Sequence, residues 1–451
     1  MPLSGRVIAA AEAALERRTF LLGALATVGA VFFPRMARAA DDAPDGVTVY
    51  RAARLFDGET LHVPGVLVVR GGRIVSMNAG DAGSDARTVD LGNATLMPGL
   101  IDAHTHVAAG IVTSTYLEAL ARPNSVADSI AEATLLSIKN ATSMLANGFT
   151  TIRDVGGGAG IDLAMRNAIA RGAIVGPRIL AAGTALSITG GHGDANDMPD
   201  FVHVDDDYLP GTAYGPYGFR EQVRAHVKRH VDVIKITATG GVLSYGDTFD
   251  VPQLNLDEIQ AVVDESTKFG RKVSAHCHGD KGIALAVEGG CHSIEHCTGV
   301  GETTLHAMQQ RGTYLVPTIW ALDSILQPGN PNKIPSDSLE KAHRAAELRN
   351  AGMLRALGTG VKIAYGTDAG VFPHAENAKD FALLKSMGMR SLDLVKSATS
   401  VAADLLGTPD RGRLAPGKLA DVVAFAGDPS TDAALLGVKP TLVVLGGKRV
   451  A

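Results

Sequence analysis

The sequence is poor in cysteine, with only Cys277, Cys291 and Cys297 among 451 residues. An odd number of cysteines, all within 21 residues, excludes a framework of disulfides that would hold the fold together. Alternation along a strand places Cys277 and Cys297 on the face opposite to the histidines that precede them, His276 and His296. We therefore expect buried structural thiols that face away from any site formed by those histidines.

Charged residues are also few, at 20% of the chain, and no stripe of lysine and arginine is visible. The formal net charge is −5; five arginines and two glutamates in residues 1–39 contribute +3, so the remainder carries −8. A negative chain of this kind argues against nucleic acids and anionic membranes as partners. The apolar run near the N-terminus, about 14 residues long, falls short of the roughly 20 that a transmembrane helix needs. We expect no stable membrane association.

The first 39 residues indicate an export signal. The pair Arg17-Arg18 precedes an apolar run from Phe20 to Phe33, and a small-x-small motif follows and ends at Ala39. A basic pair, a short apolar core and such a motif are typical of a twin-arginine signal peptide. The sequence therefore predicts a periplasmic or secreted protein that is cleaved after Ala39. A retained N-terminal anchor and a chance amphipathic helix are the alternatives.

The rest of the chain divides into two kinds of segment, which differ in their pattern of apolar residues. Residues 40–97 and 407–451 are rich in short β-branched runs separated by turns, which predicts one small β-sandwich domain formed from both termini. Residues 98–406 alternate strand-like with helix-like stretches, so we expect an α/β fold with a (β/α)8 TIM barrel. The eight strand-like runs are 96–103, 150–155, 178–183, 233–239, 272–277, 292–297, 313–319 and 361–366. The clearest helical stretches are 255–269, 335–357 and 391–406.

Residues of the types that commonly bind metal ions, histidine and aspartate, lie at the ends of several of these runs. His104 and His106 end the first run, and alternation along a strand puts both on one face. The active site of a TIM barrel is built at the carboxyl ends of its strands, so side chains from different runs meet there. The other candidates, at the ends of the fifth, sixth and eighth runs, are His276, His278, His296 and Asp368. Imidazole and carboxylate are ligands that zinc favours.

Lys235 lies inside the apolar fourth run, Val233-Ile234-Lys235-Ile236-Thr237. A lysine pointing into a barrel is costly unless it is neutralised or paired. Carboxylation of its amine would convert it into a carboxylate that can bridge two metal ions.

Together these residues resemble the binuclear-metal subgroup of the amidohydrolase superfamily. The flanking segments are similar as well: MPGLID at 97–102, GGVLS at 240–244 and LAPGKLAD at 414–421. The resemblance spans nearly all of residues 45–451. Within the superfamily it is strongest to the imidazolonepropionase-like and Xaa-Pro dipeptidase-like group, which includes metallo-carboxypeptidases and ochratoxin-type amide hydrolases.

The resemblance implies two divalent ions, with zinc as the first choice, although the same ligands accept manganese or cobalt. By this resemblance His104, His106 and Asp368 hold the more buried ion, and His276 and His296 hold the second. It also implies that a carboxylated Lys235 bridges the ions, that a shared hydroxide attacks the amide, and that Asp368 passes the proton to the leaving nitrogen. His278 shares the parity of His276, so it is the alternative ligand from the fifth run.

Further residues are candidates for substrate binding. His192, in a Gly-Gly-His-Gly segment, is expected to hold a carbonyl or carboxylate of the substrate; His278, if it is not a ligand, and Tyr245 are the others. Arg153 and Asp154, at the end of the second run, predict a structural ion pair.

The resulting prediction is a metal-dependent hydrolase of dipeptides, N-acyl amino acids or ochratoxin-like amides. A mononuclear cyclic-amide hydrolase or deaminase is the main alternative, and Lys235 counts against it; hydrolysis of lactones or phosphotriesters is a smaller one. The non-enzymatic alternative is an exported metal- or ligand-binding protein, which would be expected to lack a ligand or the proton-handling aspartate. The resemblance also implies a homo-oligomer, an octamer among the possibilities.

Overall fold

The computed structural model describes residues 46–78, 80, 82–108, 126–194, 196, 211–330 and 334–451. All of these residues belong to one compact unit. The predicted signal peptide at 1–39 lies outside the described residues. In the part that is described, no helix has both the length and the apolar character needed to cross a membrane.

Two sheets are built from both ends of the chain. One has the strand order β5-β4-β1-β6, and the other has the order β17-β16-β15-β7-β2-β3. Their strands are β1 (Val47–Ala52), β2 (Arg54–Phe56), β3 (Leu61–His62), β4 (Gly65–Arg70), β5 (Arg73–Ser76), β6 (Arg87–Asp90), β7 (Ala94–Pro98), β15 (Val422–Ala426), β16 (Leu442–Leu445) and β17 (Lys448–Arg449). Apolar side chains from both sheets, such as Leu67 and Val422, pack in one buried cluster.

The N-terminal and C-terminal segments meet at β7. β15 runs antiparallel to it with Val422 opposite Pro98 and Ala426 opposite Ala94, while β2 pairs with it in parallel. β7 is therefore an interior strand whose two neighbours come from opposite ends of the sequence.

The predicted first strand, 96–103, is wrong in its extent. The structure divides it into β7 and a second strand, β8 (Leu100–Thr105), which belongs to a different sheet. The division falls at Gly99, where an added Cβ would lie 2.0 Å from Thr150 Oγ1. Periodicity could not reveal this change of sheet, because both halves are apolar and buried.

The central region alternates parallel strands with helices, which is a TIM-barrel-like α/β fold. One sheet has the order β10-β9-β8 and the other β11-β12-β13-β14, and every pairing in both is parallel. The strands are β9 (Phe149–Asp154), β10 (Arg178–Ala181), β11 (Val233–Thr237), β12 (Lys272–Cys277), β13 (Ser293–His296) and β14 (Tyr314–Val316).

The eighth predicted run, 361–366, forms single bridges rather than a regular strand. Ile363 bridges Leu315 beside β14, and Tyr365 accepts a hydrogen bond of 2.8 Å from the backbone of Ala103 in β8. The segment therefore lies between the last and the first of the central strands.

Helices follow most of the central strands. The predicted helix 255–269 is confirmed, and the side chain of Glu258 caps its start by accepting the backbone N–H of Asn255 at 2.9 Å. The predicted helix 391–406 is two helices, separated at Thr399. The α-helices are α1 (Val126–Ala146), α2 (Ile161–Ala170), α3 (Gly215–Lys228), α4 (Leu256–Lys268), α5 (Asp280–Glu288), α6 (Glu302–Arg311), α7 (Ile319–Ile325), α8 (Ser336–Thr359), α9 (Asp380–Ser386), α10 (Ser391–Ser397) and α11 (Ser400–Leu406).

The apolar core lies between the central strands and these helices. The three cysteines are buried, unpaired and part of this core, as the sequence predicts.

Candidate metal centre

The predicted metal ligands come together at the carboxyl ends of the central strands. His104 lies near the end of β8, and its ring centroid is 5.3 Å from that of His106 and 5.0 Å from that of His296. The rings of His276, at the end of β12, and His296, at the end of β13, are 4.6 Å apart. Asp368 joins them from the segment that follows residue 366, with Oδ1 3.2 Å from His106 Nε2.

Within the described residues, five of the predicted donors, without His106, form two groups of three, each with its donor atoms within 4.8 Å of one another. One group is His104, His296 and Asp368, and the other is His276, His278 and His296. His296 belongs to both groups. The geometry brings His276 and His278 equally to the second group, so it does not choose between them.

In three rings one nitrogen is engaged by a partner outside the donor groups, so the other nitrogen of each ring is the one available to a cation. Nδ1 of His106 lies 3.0 Å from the carbonyl of Gly156, and Nδ1 of His296 lies 2.7 Å from Thr318 Oγ1. His276 is held the other way round, with Nε2 3.1 Å from the carbonyl of Gly240. Such outer partners fix the ring and set which nitrogen carries the proton.

One unpaired nitrogen in the site supports the binding of a cation there. Nε2 of His104 is buried and has no hydrogen bond among the described residues, although Asp368 Oδ1 lies 3.4 Å away. A buried polar atom without a partner is rare and points to a missing ligand. Burial would raise the pKa of Asp368, but His104 and His106 outweigh it and hold that pKa well below its usual range. Asp368 is therefore an anion, as a metal ligand must be.

Lys235 is placed in β11 beside this cluster. Its side chain is 3% exposed, and its amine has no hydrogen bond or ion pair within the part of the chain that the structure describes. Burial lowers the pKa of Lys235 to about 8, against the opposing effect of Glu295 and Asp368. A neutral amine is the form that reacts with carbon dioxide, so the environment suits carboxylation.

The predicted ion pair between Arg153 and Asp154 is wrong. Arg153 Nη2 binds Glu295 Oε1 at 2.9 Å, while the carboxylate of Asp154 accepts backbone N–H groups of Val107 and Gly156. Consecutive residues of a strand point to opposite faces, which is why these two neighbours have different partners.

Asp102 is a site residue that the motif analysis missed. Its carboxylate accepts the backbone N–H of His104 at 3.2 Å and the hydroxyl of Thr367 at 2.7 Å. Burial raises the pKa of Asp102 to about 7, although these hydrogen bonds oppose the shift. Asp102 thereby links His104 to Thr367, the residue before Asp368, through hydrogen bonds. The only signal was its position in the segment at 97–102.

The backbone at the site is strained. His296, Thr318 and Asp368 have φ of 67°, 46° and 64°, in the left-handed region that residues other than glycine rarely adopt. Strain of this kind persists where the surrounding structure enforces it, and it concentrates at functional sites.

His192 lies over the second group of donors. Its ring stacks on that of His276 at 4.2 Å, and its Nδ1 lies 2.9 Å from Ser244 Oγ. Ser244 in turn donates to Asp247 Oδ1 at 2.7 Å. A Cβ added to Gly241 would lie 2.0 Å from His192 Nδ1, so the ring rests directly on that glycine.

We expect Gly241→Ala to displace the imidazole of His192, because the new methyl group occupies the position of the ring. The loss should be about 10-fold to 100-fold in kcat/KM, the penalty for misplacing a positioning group. Steady-state kinetics of the variant and of the natural chain would measure this loss of kcat/KM. Gly358→Ala, in open space on α8, is the matched control. Equal activity of both variants would exclude a role for His192 in that position.

The donors form the floor of a cavity of about 720 Å³. Tyr245, 64% exposed, and Asp337 stand among its polar lining residues. Arg349 also lines it, but its guanidinium binds Asp323 and the carbonyl of Ile319. Asp194, Asn196 and Ser338 are further polar members of the lining. Apolar side chains form much of the remaining wall: Val242, Leu243, Pro317, Ala321, Leu322, Ile325, Pro335 and Val371.

Comparison with known proteins gives one consistent answer. The sequence profile of the amidohydrolase family matches residues 95–450. Ochratoxinase of Aspergillus niger is 29% identical over 417 residues, which are 86% of this chain and 82% of ochratoxinase. The crystal structure of that ochratoxinase covers 90% of this chain and 95% of its own, with a TM-score of 0.79.

Two other relatives are similar over most of their length. The crystal structure of a Xaa-Pro dipeptidase with methionine bound in the active site is 33% identical, covers 90% of this chain and 100% of its own, and has a TM-score of 0.80. Imidazolonepropionase of Symbiobacterium thermophilum is 25% identical over 397 residues, 80% of this chain and 84% of that protein.

Proposed function

The chain belongs to the amidohydrolase family and is a hydrolase of amide or peptide C–N bonds, and on that premise we propose that it releases an amino acid from a small apolar amide with the help of two divalent ions. The observation that carries the proposal is the pair of donor groups that share His296 and lie beside Lys235, a buried lysine whose amine has no hydrogen bond or ion pair to any described residue. A mononuclear site would not need that lysine.

In this proposal His104, His106 and Asp368 would hold the first ion, and His296 with His276 or His278 would hold the second. A carboxylated Lys235 would be a ligand of both. Zinc is the first choice, since the donors are imidazole and carboxylate. Divalent ions bound there would polarise the scissile carbonyl and lower the pKa of water toward neutrality.

Asp368 is the proposed proton carrier. As an anion whose Oδ1 faces His104 and His106, it can take a proton from the attacking water. It then delivers that proton to the leaving nitrogen, which an amide requires because an amine anion is a poor leaving group.

The cavity supports an apolar substrate. Much of its wall beyond the donor groups is aliphatic, and the arginine that reaches it is paired with Asp323. His192 and Tyr245, with His278 if it is not a ligand, are proposed to hold the polar atoms near the scissile bond. The names of the relatives agree with this class: ochratoxinase, and a Xaa-Pro dipeptidase that binds methionine.

The test is a panel of N-acetyl amino acids that differ only in the side chain: phenylalanine, leucine, aspartate and lysine. Burying a leucine-sized side chain contributes about 1.5–3 kcal/mol, so kcat/KM should favour phenylalanine and leucine by roughly 10-fold to 100-fold. A preference for the charged side chains would contradict the proposed pocket. Turnover of a cyclic imidazolone alone would favour the cyclic-amide alternative, which the similarity to imidazolonepropionase keeps open.

We further propose that the central strands close into a barrel through residues 361–366, which bridge β14 and β8. The two terminal sheets, which share an apolar cluster, are proposed to form the predicted sandwich. Export through a twin-arginine signal and assembly into a homo-oligomer complete the proposal. N-terminal sequencing of the periplasmic protein and light scattering would test these last two.

A further inference from the structure

A fully buried network of charged and hydroxyl groups surrounds Glu295, the residue before His296. Its Oε2 lies 2.8 Å from His104 Nδ1. Its Oε1 accepts three hydrogen bonds, from Arg153 Nη2 at 2.9 Å, Ser274 Oγ at 2.7 Å and Ser293 Oγ at 2.5 Å. Glu295 has no exposed surface, so it does not touch substrate or solvent.

This network dictates which nitrogen of His104 carries the proton. An ionised carboxylate can only accept hydrogen bonds, so Nδ1 of His104 is the donor to Glu295. The guanidinium of Arg153, 2.9 Å from Oε1, is the counter-charge that pairs with this carboxylate, and the hydroxyls of Ser274 and Ser293 donate to the same oxygen. In the neutral ring, Nε2 then presents a lone pair, and Nε2 is the nitrogen that has no hydrogen bond to any described residue.

We propose that Glu295 is a positioning residue for the metal centre: it fixes the proton of His104 on Nδ1 and thereby makes Nε2 a ligand. The inference rests on the proposed metal site. Among the described residues, the hydrogen bonds of the Glu295 side chain reach His104 and no other proposed ligand, so it acts on the ion that His104, His106 and Asp368 would hold.

Arg153 has a second role in this arrangement, because it makes the carboxylate irreplaceable by an amide. In Glu295→Gln the guanidinium would hold the amide oxygen on its own side, since Arg153 can only donate. The amide NH2 would then face His104 Nδ1, which would have to accept a hydrogen bond. That forces the proton onto Nε2 and removes the lone pair that binds the ion.

Removing the guanidinium should reverse this effect. In Arg153→Met with Glu295→Gln, the amide can rotate, present its oxygen to His104 and donate its NH2 to Ser274 and Ser293, whose hydroxyls can accept. The double variant therefore restores the proton on Nδ1 although it differs more from the natural protein.

The experiment measures the zinc dissociation constant of the metal-free full-length protein by competition with a chromophoric chelator. Loss of an outer partner of a ligand histidine typically weakens metal binding about 10-fold to 100-fold, and we expect this for Glu295→Gln. The double variant should recover at least half of the loss on a logarithmic scale. Glu258→Gln, a buried carboxylate that caps α4, is the matched control and should bind zinc as the natural chain does.

Three results would overturn the inference while leaving the metal site standing: unchanged affinity in Glu295→Gln, equal weakening in the double variant, or equal weakening in Glu258→Gln. Failure of the natural chain to bind zinc would instead defeat the proposed function. If Glu295→Gln does not fold, nitrogen-15 spectra of histidine-labelled natural protein decide the question. We expect a proton on Nδ1 of His104, assigned through His104→Gln, and its absence there would overturn the inference.

Discussion

Asp368→Asn is expected to lower kcat by about 100-fold to 10,000-fold, the range that a positioned acid or base contributes. The asparagine amide has nearly the same shape as the carboxylate, but it can neither take a proton from water nor deliver one to the leaving nitrogen. KM should change far less, because the apolar wall that binds the substrate is untouched. Steady-state kinetics with the best N-acetyl amino acid, at saturating zinc, would separate the two parameters.

Asp337→Asn is the matched control, because Asp337 is a carboxylate that lines the same cavity without touching the donor groups. It should keep kcat within about three-fold, as expected for a surface-like change. A similar loss of kcat in both variants would show that negative charge in the cavity, rather than proton transfer by Asp368, is what matters.

Lys235→Ala is expected to abolish detectable turnover and to remove at least one zinc ion per chain. The carboxylated side chain is the only proposed ligand common to both ions, so its loss leaves two histidine-rich groups whose cations repel each other. Metal content is measured by mass spectrometry of the purified protein. In the natural chain, loading with carbon-13 bicarbonate should give a carbamate signal in the carbon-13 spectrum, and the variant should lack it.

Lys362→Ala serves as the control for Lys235→Ala, since Lys362 is an exposed lysine at the edge of the central strands. Its zinc content and activity should match those of the natural protein. Zinc content that is unchanged in Lys235→Ala, together with no carbamate signal, would favour the mononuclear alternative.

Much of the site could be predicted from the sequence, because most of its proposed ligands lie at or near strand ends. There the alternation of side chains along a strand and the sequence motifs point to the same residues. His104 and His106, at the end of β8, meet Asp368 from the segment after residue 366, and Lys235 in β11 lies beside them, as expected. The choice between His276 and His278 could not be made, because the strand alternation that pairs them gives both the same face.

Glu295 escaped prediction for a physical reason. Alternation places it on the face opposite to His296, yet both approach His104, Glu295 through Oε2 at 2.8 Å and His296 with ring centroids 5.0 Å apart. The left-handed φ of His296 ends the regular strand there, so the period of two no longer governs where its side chain points. No feature of the local sequence predicts the positive φ of His296.

The boundaries of the fold were harder to predict than its elements. The apolar run 96–103 crosses from one sheet to another at Gly99 without any change in hydrophobicity. The division depends on pairing with strands that are distant in the sequence, and the local sequence alone does not predict that pairing.

The position of β7 also bears on the order of synthesis. β8, which bears His104, starts two residues after β7 ends, and β7 is completed only when β15 pairs along it. A ribosome makes residues 422–426 long after it has made β7 and β8, so these two strands leave the ribosome before their partner β15 exists. The strand that leads into His104 and His106 is therefore fully paired only after β15 has been made, so the proposed metal would bind there after the synthesis of β15.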